Sequence, residues 1–402
     1  MSSQNDKEPD GGSEPEDSHV RIFDTTLRDG EQAPGFTMSV DQKMRMAEAL
    51  RDINVDVIEA GFAAASPGDE EAVRRIASEI EGPVICSLSR SGDDDIRAAA
   101  RSLEPAAKSR IHIFLGTSPI HRQAKLNMTC DEVLAATRNS VNFARTFFDD
   151  VEFSPEDAIR TEREFLVAAC ETAIEAGATT INVPDTVGYT TPDEIYELFK
   201  HLRENVRGMN DVVLSAHCHD DLGMAVANSI SAVRAGARQV EVAVNGIGER
   251  AGNCSLEEVV MAMRTRSDVF NVKTGVDTRG LYSTSQLLAA LTGNPVPRNK
   301  AIVGRNAFAH EAGIHQHGMI QDPSTYEIMK PEDVGSPGTQ LVLGKHSGRH
   351  ALVQRAELLG AKLDGNVLPQ IFYAFKNLAD EVGEVNDNQL LELIHQYVGV
   401  RA

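Results

Sequence analysis

VRIFDTTLRDGEQAPG, residues 20–35, opens as a short apolar strand and closes on Asp24, Arg28, Asp29 and Glu31. Charge massed at the C-terminal end of a strand opposes folding and is kept where chemistry needs it. Far downstream, HCHDDLG (217–223) repeats the device with two histidines. Around these two stretches short apolar runs recur: VRIF (20–23), VDVIEAGF (55–62), PVICSL (83–88), RIHIFLG (110–116), DVEF (150–153), TTINV (179–183), VVLSAH (212–217) and QVEVAV (239–244). Segments with apolar residues at helical spacing lie between them, such as SVDQKMRMAEALRDI and TEREFLVAACETAIEAG, the latter ending in Gly177 as a helix C-cap. Eight strand–helix repeats over roughly 250 residues have the rhythm of an α/β protein of the (β/α)8 type, a TIM barrel. A doubly wound sheet also alternates but seldom needs eight even units.

The polar residues fall at one end of these strands. Arg28 and Asp29 follow the first, Ser154 and Glu156 the fifth, and Asp185 and Thr186 the sixth. His217 and His219 follow the seventh, and Asn245 to Asn253 the eighth. A barrel gathers those loops on the face where barrel enzymes keep their active sites. The barrel is expected over 19–273. After about Thr274 the rhythm breaks into a helical STSQLLAALTG, an extended NPVPRNKAIVG and a polar AFAHEAGIHQHG (307–318). A last helical pattern, LPQIFYAFKNLADEV, follows. Residues 274–402 therefore read as a linker and C-terminal helical subdomains that pack on another barrel or across a dimer.

Composition narrows the class. A hydrophobic share of 41% supplies a core, and no apolar run approaches the roughly 18–20 residues of a membrane span. The start, MSSQNDKEPDGGSEPEDSH, is acidic and lacks the apolar stretch of a secretory signal, so residues 1–18 are expected as a disordered leader. A soluble, cytoplasmic protein is expected. The net charge of −21 repels phosphate backbones and argues against nucleic acid as a partner. Arginine outweighs lysine, which suits a halophilic protein or one that is merely acidic and soluble. Five cysteines without CxxC spacing point to reduced thiols.

His217 and His219 stand two apart, so a strand continued through them aims both imidazoles one way and Cys218 the other. They are either satisfied histidines at a barrel rim or a pair of metal ligands. With Asp29 and an Asn253 oxygen on the same face, the set suits Mn, Mg or Zn. Arg28 is either a structural ion pair at the mouth or a guanidinium aimed where negative charge develops on an oxygen. NGIGERAGNCSLEEVVMA (245–262) is either a capped turn with Asn253 or Ser255 as N-cap, or a glycine-rich approach to a bulky cofactor. His310, Glu311, His315 and His317 crowd one short stretch, as an inert surface cluster or as a base tuned near neutral pH.

FDTTLRDGEQAPG, EAGFAAASPGD, VEFSPEDA, PDTVGY, HCHDDLGMAVANS, NGIGERAGN, HEAGIHQHG and STYEIM together resemble the Claisen-condensing synthases of the DRE-type TIM-barrel metalloenzymes. These are the 2-isopropylmalate, homocitrate and citramalate synthases, and EAGFAAASPGD, TSPIH and NKAIVG lie nearest the first branch. The resemblance spans everything after the leader. It implies a divalent metal (Mn, Mg or Zn) on Asp29, His217, His219 and Asn253, and acetyl-CoA as co-substrate. It implies Arg28 as the enolate-stabilising arginine, Glu156 as catalytic glutamate, and an oxo acid held by Arg28, His112, Ser154, Asn182 and Thr186. The base it implies is His315, supported by Tyr326, from the appendage of the partner in a homodimer. The reaction expected is condensation of acetyl-CoA with 3-methyl-2-oxobutanoate in leucine biosynthesis. Pyruvate (citramalate) or 2-oxoglutarate (homocitrate) are the alternative acceptors. A leucine-binding regulatory domain is not expected, because the chain ends soon after the appendage.

Overall fold

The computed structural model describes residues 18–338, 340–363 and 365–398. The leader expected over 1–18 lies, apart from Ser18, outside them. By its internal contacts the chain forms two compact units: one runs to Thr278 and takes in Thr284–Asn294, the other comprises Arg279–Ser283 and the chain from Pro295.

The first unit is a closed, all-parallel barrel of eight strands in chain order. They are β1 (Arg21–Asp24), β2 (Val57–Glu59), β3 (Val84–Arg90), β4 (Ser109–Gly116), β5 (Val151–Glu156), β6 (Thr180–Asp185), β7 (Val213–Cys218) and β8 (Gln239–Val242). β1 and β8 close the ring through Arg21–Gln239 to Asp24–Val242. A helix follows each strand: α1 (Val40–Asp52), α2 (Pro67–Glu79), α3 (Asp93–Leu103), α4 (Cys130–Ala144), α5 (Arg163–Glu175), α6 (Pro192–Asn205), α7 (Ala225–Arg234) and α8 (Leu256–Thr265). Local chemistry starts them cleanly. Ser39–Gln42 and Thr129–Glu132 are capping boxes on α1 and α4, and Pro67 and Pro192 occupy the first turn of α2 and α6.

Four strands extend past the runs read from sequence, β3 reaching Arg90 beyond PVICSL. β5 runs to Glu156, β6 to Asp185 and β7 to Cys218. Ser154, Glu156 and His217 thus sit in the last rungs rather than after them, because the ladder continues where apolar alternation stops. β2 and β8 are shorter than expected. Val244–Gly246 turns into a 3-10 turn with Asn245 at φ 59, which ends β8 at Val242.

The barrel lumen is part apolar and part charged. Phe23, Val57 and Cys86 form one buried cluster. Beside it, the buried Arg110, register partner of Cys86, donates to Asp150 (2.9 Å), Glu152 (2.9 Å) and Gln239 (2.7 Å), while Gln239 donates to Glu152 and Ser215 (2.9 Å each). β5 and β8 are not neighbours in the sheet, so these bonds cross the lumen. Arg110, Glu152, Gln239 and Ser215 thus all find partners, as burial requires.

The second unit has its own core of Leu343, Leu352, Ile371, Phe375, Leu390 and Ile394. It includes helices Gly313–Gln321, Arg349–Leu358, Leu368–Val382 and Asp387–Val398 and a two-stranded sheet of Ala309–His310 with Gln340–Leu341. Leu368–Val382 is the LPQIFYAFKNLADEV pattern; the helix after it was not anticipated.

Candidate metal and active site

After β1 the chain makes one turn of π-helix, Thr26–Gly30, which presents Arg28 and Asp29 from successive positions. Such turns recur at functional sites because the extra residue re-aims side chains. Thr25 caps it by accepting from the Asp29 N–H, and Asp24 accepts from the Thr26 N–H. Glu31 is drawn away instead. It bridges to the buried Lys43 of α1 and accepts from the Met38 N–H at 2.9 Å, so this acid holds the loop rather than the site.

Asp29, His217 and His219 converge. Asp29 Oδ2 lies 3.3 Å from His217 Nε2 and 3.7 Å from His219 Nε2, and the two Nε2 atoms are 3.0 Å apart. β7 ends at Cys218, but His219 bridges to Asn253, so the extended conformation persists and both rings share one side. Asn253 donates to Asp29 Oδ2 at 3.2 Å, and its own Oδ1 is buried with no partner. The residues fit a divalent cation. Two ring nitrogens facing each other at hydrogen-bond distance, a carboxylate between them and an orphaned amide oxygen alongside make the donor set for Mn, Mg or Zn. His217 Nδ1 lies 2.6 Å from Glu241, the partner that fixes the ring and its tautomer.

The electrostatics are polarised. Burial opposes charge on Asp29, but Arg28, His217 and His219 outweigh it and hold the carboxyl well below the usual range. Burial likewise opposes protonation of His217, yet Glu241 and Asp29 push it up to about 10, while burial and His217 push His219 down to about 3. Neighbouring imidazoles driven apart in this way form a charge-sharing cluster. Arg28, 10% exposed, donates Nε to Glu59 at 2.6 Å, with Asp29 at 3.3 Å and Glu241 at 3.9 Å from its other nitrogens.

A cavity of about 250 Å³ opens over this cluster. His112, Ser154, Asn182, Thr186, Glu156 and Arg28 all line it, so the barrel brings the expected oxo-acid residues to one place. His112 joins Glu59 (2.8 Å) to Ser154 Oγ (2.7 Å). Burial disfavours its charge, but Glu59 prevails and raises its pKa. Ser154 Oγ also accepts from Asn182 at 2.8 Å, and Thr186 Oγ1 accepts from the Asp157 N–H at 3.0 Å. Thr186 therefore keeps its hydroxyl hydrogen for a ligand, and Ser154 keeps its own when the His112 ring is protonated and donates through Nε2. Phe62, Leu88, Phe114 and Pro184 give the cavity an apolar wall.

Both oxygens of Glu156 bond Lys125 Nζ at 2.8 Å. His315 and Tyr326 belong to the second unit, are exposed, and stack with ring centroids 4.3 Å apart. His310 lies 3.5 Å from Glu327. The side chain of His317 lies outside the described ones. Sequence reading missed Glu59 and Glu241; the signals were the second carboxylate of VDVIEAGF, after Asp56, and the single one of QVEVAV. The glycine-rich 245–253 loop is shaped by close approach: a Cβ on Gly252, at φ +103, would stand 2.1 Å from the Gly246 carbonyl oxygen.

A parallel barrel with a buried two-histidine, one-aspartate cluster at its C-terminal mouth defines a class of metal-assisted barrel enzymes. Residues 19–288 match the family described as HMGL-like, and residues 302–383 match the one described as homocitrate synthase post-HMGL domain-like. A 2-isopropylmalate synthase of Aquifex aeolicus is 60% identical over 378 residues, covering 94% of this chain and 73% of the relative. One of Pyrococcus furiosus is 52% identical over 380 residues, covering 94% and 76%. The chain belongs to the HMGL-like family, within its 2-isopropylmalate synthase branch. Among solved structures, a hydroxymethylglutaryl-CoA lyase of Pseudomonas aeruginosa aligns with a TM-score of 0.60 at 21% identity, covering 69% of this chain and 95% of that one. The fold is shared with that enzyme.

Proposed function

We propose that the protein is a 2-isopropylmalate synthase that condenses acetyl-CoA with 3-methyl-2-oxobutanoate and water to give 2-isopropylmalate and CoA. The observation that carries this reading is the meeting, in one cavity, of the Asp29–His217–His219 cluster and the Arg28 guanidinium. A divalent cation held by those three residues and Asn253 would supply Lewis-acid polarisation of the ketone. With the His112 ring protonated beside Glu59, Ser154 and Thr186 offer their hydroxyl hydrogens to the oxo acid's carboxylate, and His112 and Asn182 hold the Ser154 oxygen in place. Arg28 stands where negative charge grows on the attacked oxygen. The apolar wall receives the isopropyl group.

His315, supported by Tyr326, takes a proton from the acetyl methyl carbon, and it comes from a second copy of the chain. The family resemblance and the exposure of both side chains support this. Mixing Arg28→Ala and His315→Ala proteins should then restore about a quarter of wild-type turnover through mixed dimers; no recovery would rule out a shared site.

The acceptor follows from charge. Arg250 lines the cavity but is committed to Asp221 (2.7 and 2.8 Å) and the Thr186 carbonyl, and Arg28 to three carboxylates, so among the described lining residues no guanidinium is spare for the second carboxylate of 2-oxoglutarate. Pyruvate differs only by lost methyl groups, a discrimination of about 10- to 200-fold. CoA release with each oxo acid, metal-free and with Mn, Mg or Zn restored, tests the reading. Preference for pyruvate, or turnover indifferent to chelation, would overturn it. The free thiols of Cys86, Cys130, Cys170, Cys218 and Cys254 support a cytoplasmic location; no described helix is long and apolar enough to cross a membrane. The acidic, arginine-weighted composition supports function at high salt, so activity should rise with molar KCl.

A further inference from the structure

We propose that Lys125 is a positioning residue for the condensation: it clamps the Glu156 carboxylate in its working orientation at the mouth of the cavity. The inference rests on the synthase reading and adds to it a residue that touches no substrate.

Glu156 lines the cavity and Lys125 does not; Lys125 stands behind it. Its Nζ meets both carboxylate oxygens at 2.8 Å, which fixes the plane of the carboxylate as well as its charge. The ammonium also lies 5.8 Å from the centroid of Phe114, itself part of the cavity wall. Lys125 reaches this position from an unusual segment. His121–Leu126 is a turn of π-helix, ended by Asn127 in the left-handed region at φ 52. One turn after β4 is thereby widened, and His121 and Lys125 both end at the same carboxylate. His121 Nδ1, buried and without a hydrogen-bond partner, lies 3.8 Å from Glu156 Oε2 and 3.9 Å from Asp157 Oδ2. Gly116 leaves room for this packing, since a Cβ there would stand 2.8 Å from that of His121 and 3.4 Å from Glu156 Oε2.

A surface ion pair of one lysine and one glutamate would contribute little, and half of the Lys125 side chain is exposed. Stability is therefore an inadequate reason for two π-helical residues to converge on a carboxylate that faces the reacting groups. Orientation of Glu156 is what the arrangement secures.

The test is steady-state kinetics on Lys125→Met, Lys125→Arg, Glu156→Gln and the double variant Lys125→Met/Glu156→Gln, with CoA release from acetyl-CoA and 3-methyl-2-oxobutanoate as readout. Lys125→Met should lower kcat by about tenfold or more with KM for the oxo acid changed by less than about threefold. Lys125→Arg should recover most of the loss. The double variant should be no slower than Glu156→Gln alone, because the clamp then has nothing to orient. Additive losses, an unchanged Lys125→Met, or Glu156→Gln at wild-type rate would each overturn the proposal. Wild-type protein that releases no CoA would instead overturn the synthase reading, so the two failures are separable.

Discussion

Arg28→Ala withdraws the guanidinium that Glu59, Asp29 and Glu241 share at 2.6, 3.3 and 3.9 Å. Two consequences follow at once. At an effective dielectric near 20, opposite charges about 4 Å apart attract by about 4 kcal/mol, and removing one member of a buried pair costs about 3–5 kcal/mol. The variant should lose stability of that order, seen as a Tm lowered by about 5–8 °C. A divalent cation beside Asp29 would replace part of the lost positive charge, so metal should raise the variant's Tm more than the wild type's. Turnover loses an oxyanion donor worth about 2.7–4 kcal/mol, or roughly 100- to 1000-fold in kcat. Arg28→Lys keeps the charge but not the forked geometry, and should regain stability more fully than rate. Thermal unfolding with and without metal reads the first effect; thiol titration of released CoA, at a temperature where the variant is folded, reads the second. A folded Arg28→Ala protein with more than about a tenth of wild-type kcat would refute the assigned role.

Glu241→Leu removes the acceptor of His217 Nδ1 at 2.6 Å and should weaken metal affinity by about 10- to 100-fold, measurable by competition with a fluorescent chelator. Asp24 is wholly buried, and burial lifts its pKa to about 7, with the charges of Glu257 and Glu59 adding to the rise against the Thr26 hydrogen bonds. A carboxyl raised above its unfolded value destabilises the fold progressively as pH climbs from about 4 to about 7. Asp24→Asn should accordingly match wild type near pH 4 and exceed its stability at pH 8 by on the order of a few kcal/mol, as unfolding at the two pH values would show. Gly252→Ala forces a Cβ to within 2.1 Å of the Gly246 carbonyl oxygen and should cost about 1–3 kcal/mol along with much of the activity; unchanged Tm and turnover would contradict the close packing of that loop.

The barrel was legible because its strands are apolar and its helices carry ordinary caps. The limits of that reading have physical causes. β3, β5 and β6 were cut short, since Ser89, Arg90, Ser154, Glu156 and Asp185 keep the ladder while breaking the apolar pattern. The π-helical turns at Thr26–Gly30 and His121–Leu126 leave no periodic trace in five or six residues. Asp29, His217 and His219 could be paired from sequence because two-residue spacing and strand position dictate direction. Glu59 and Glu241 escaped notice, being acids hidden within runs that looked like core. The Lys125–Glu156 contact joins residues 31 apart through two loops, and only three-dimensional structure reveals such a pairing.

The charged half of the barrel lumen bears on any attempt to transplant this chemistry. Arg110, Glu152 and Gln239 form a floor beneath the cavity that no single substitution can convert to hydrocarbon without stranding an ion. Engineers grafting the upper cluster onto another barrel would have to carry this floor with it as a block, or redesign all of its members simultaneously. By the same logic, drift at these positions should proceed through coordinated exchanges, which makes the floor a slow-changing foundation under loops free to vary.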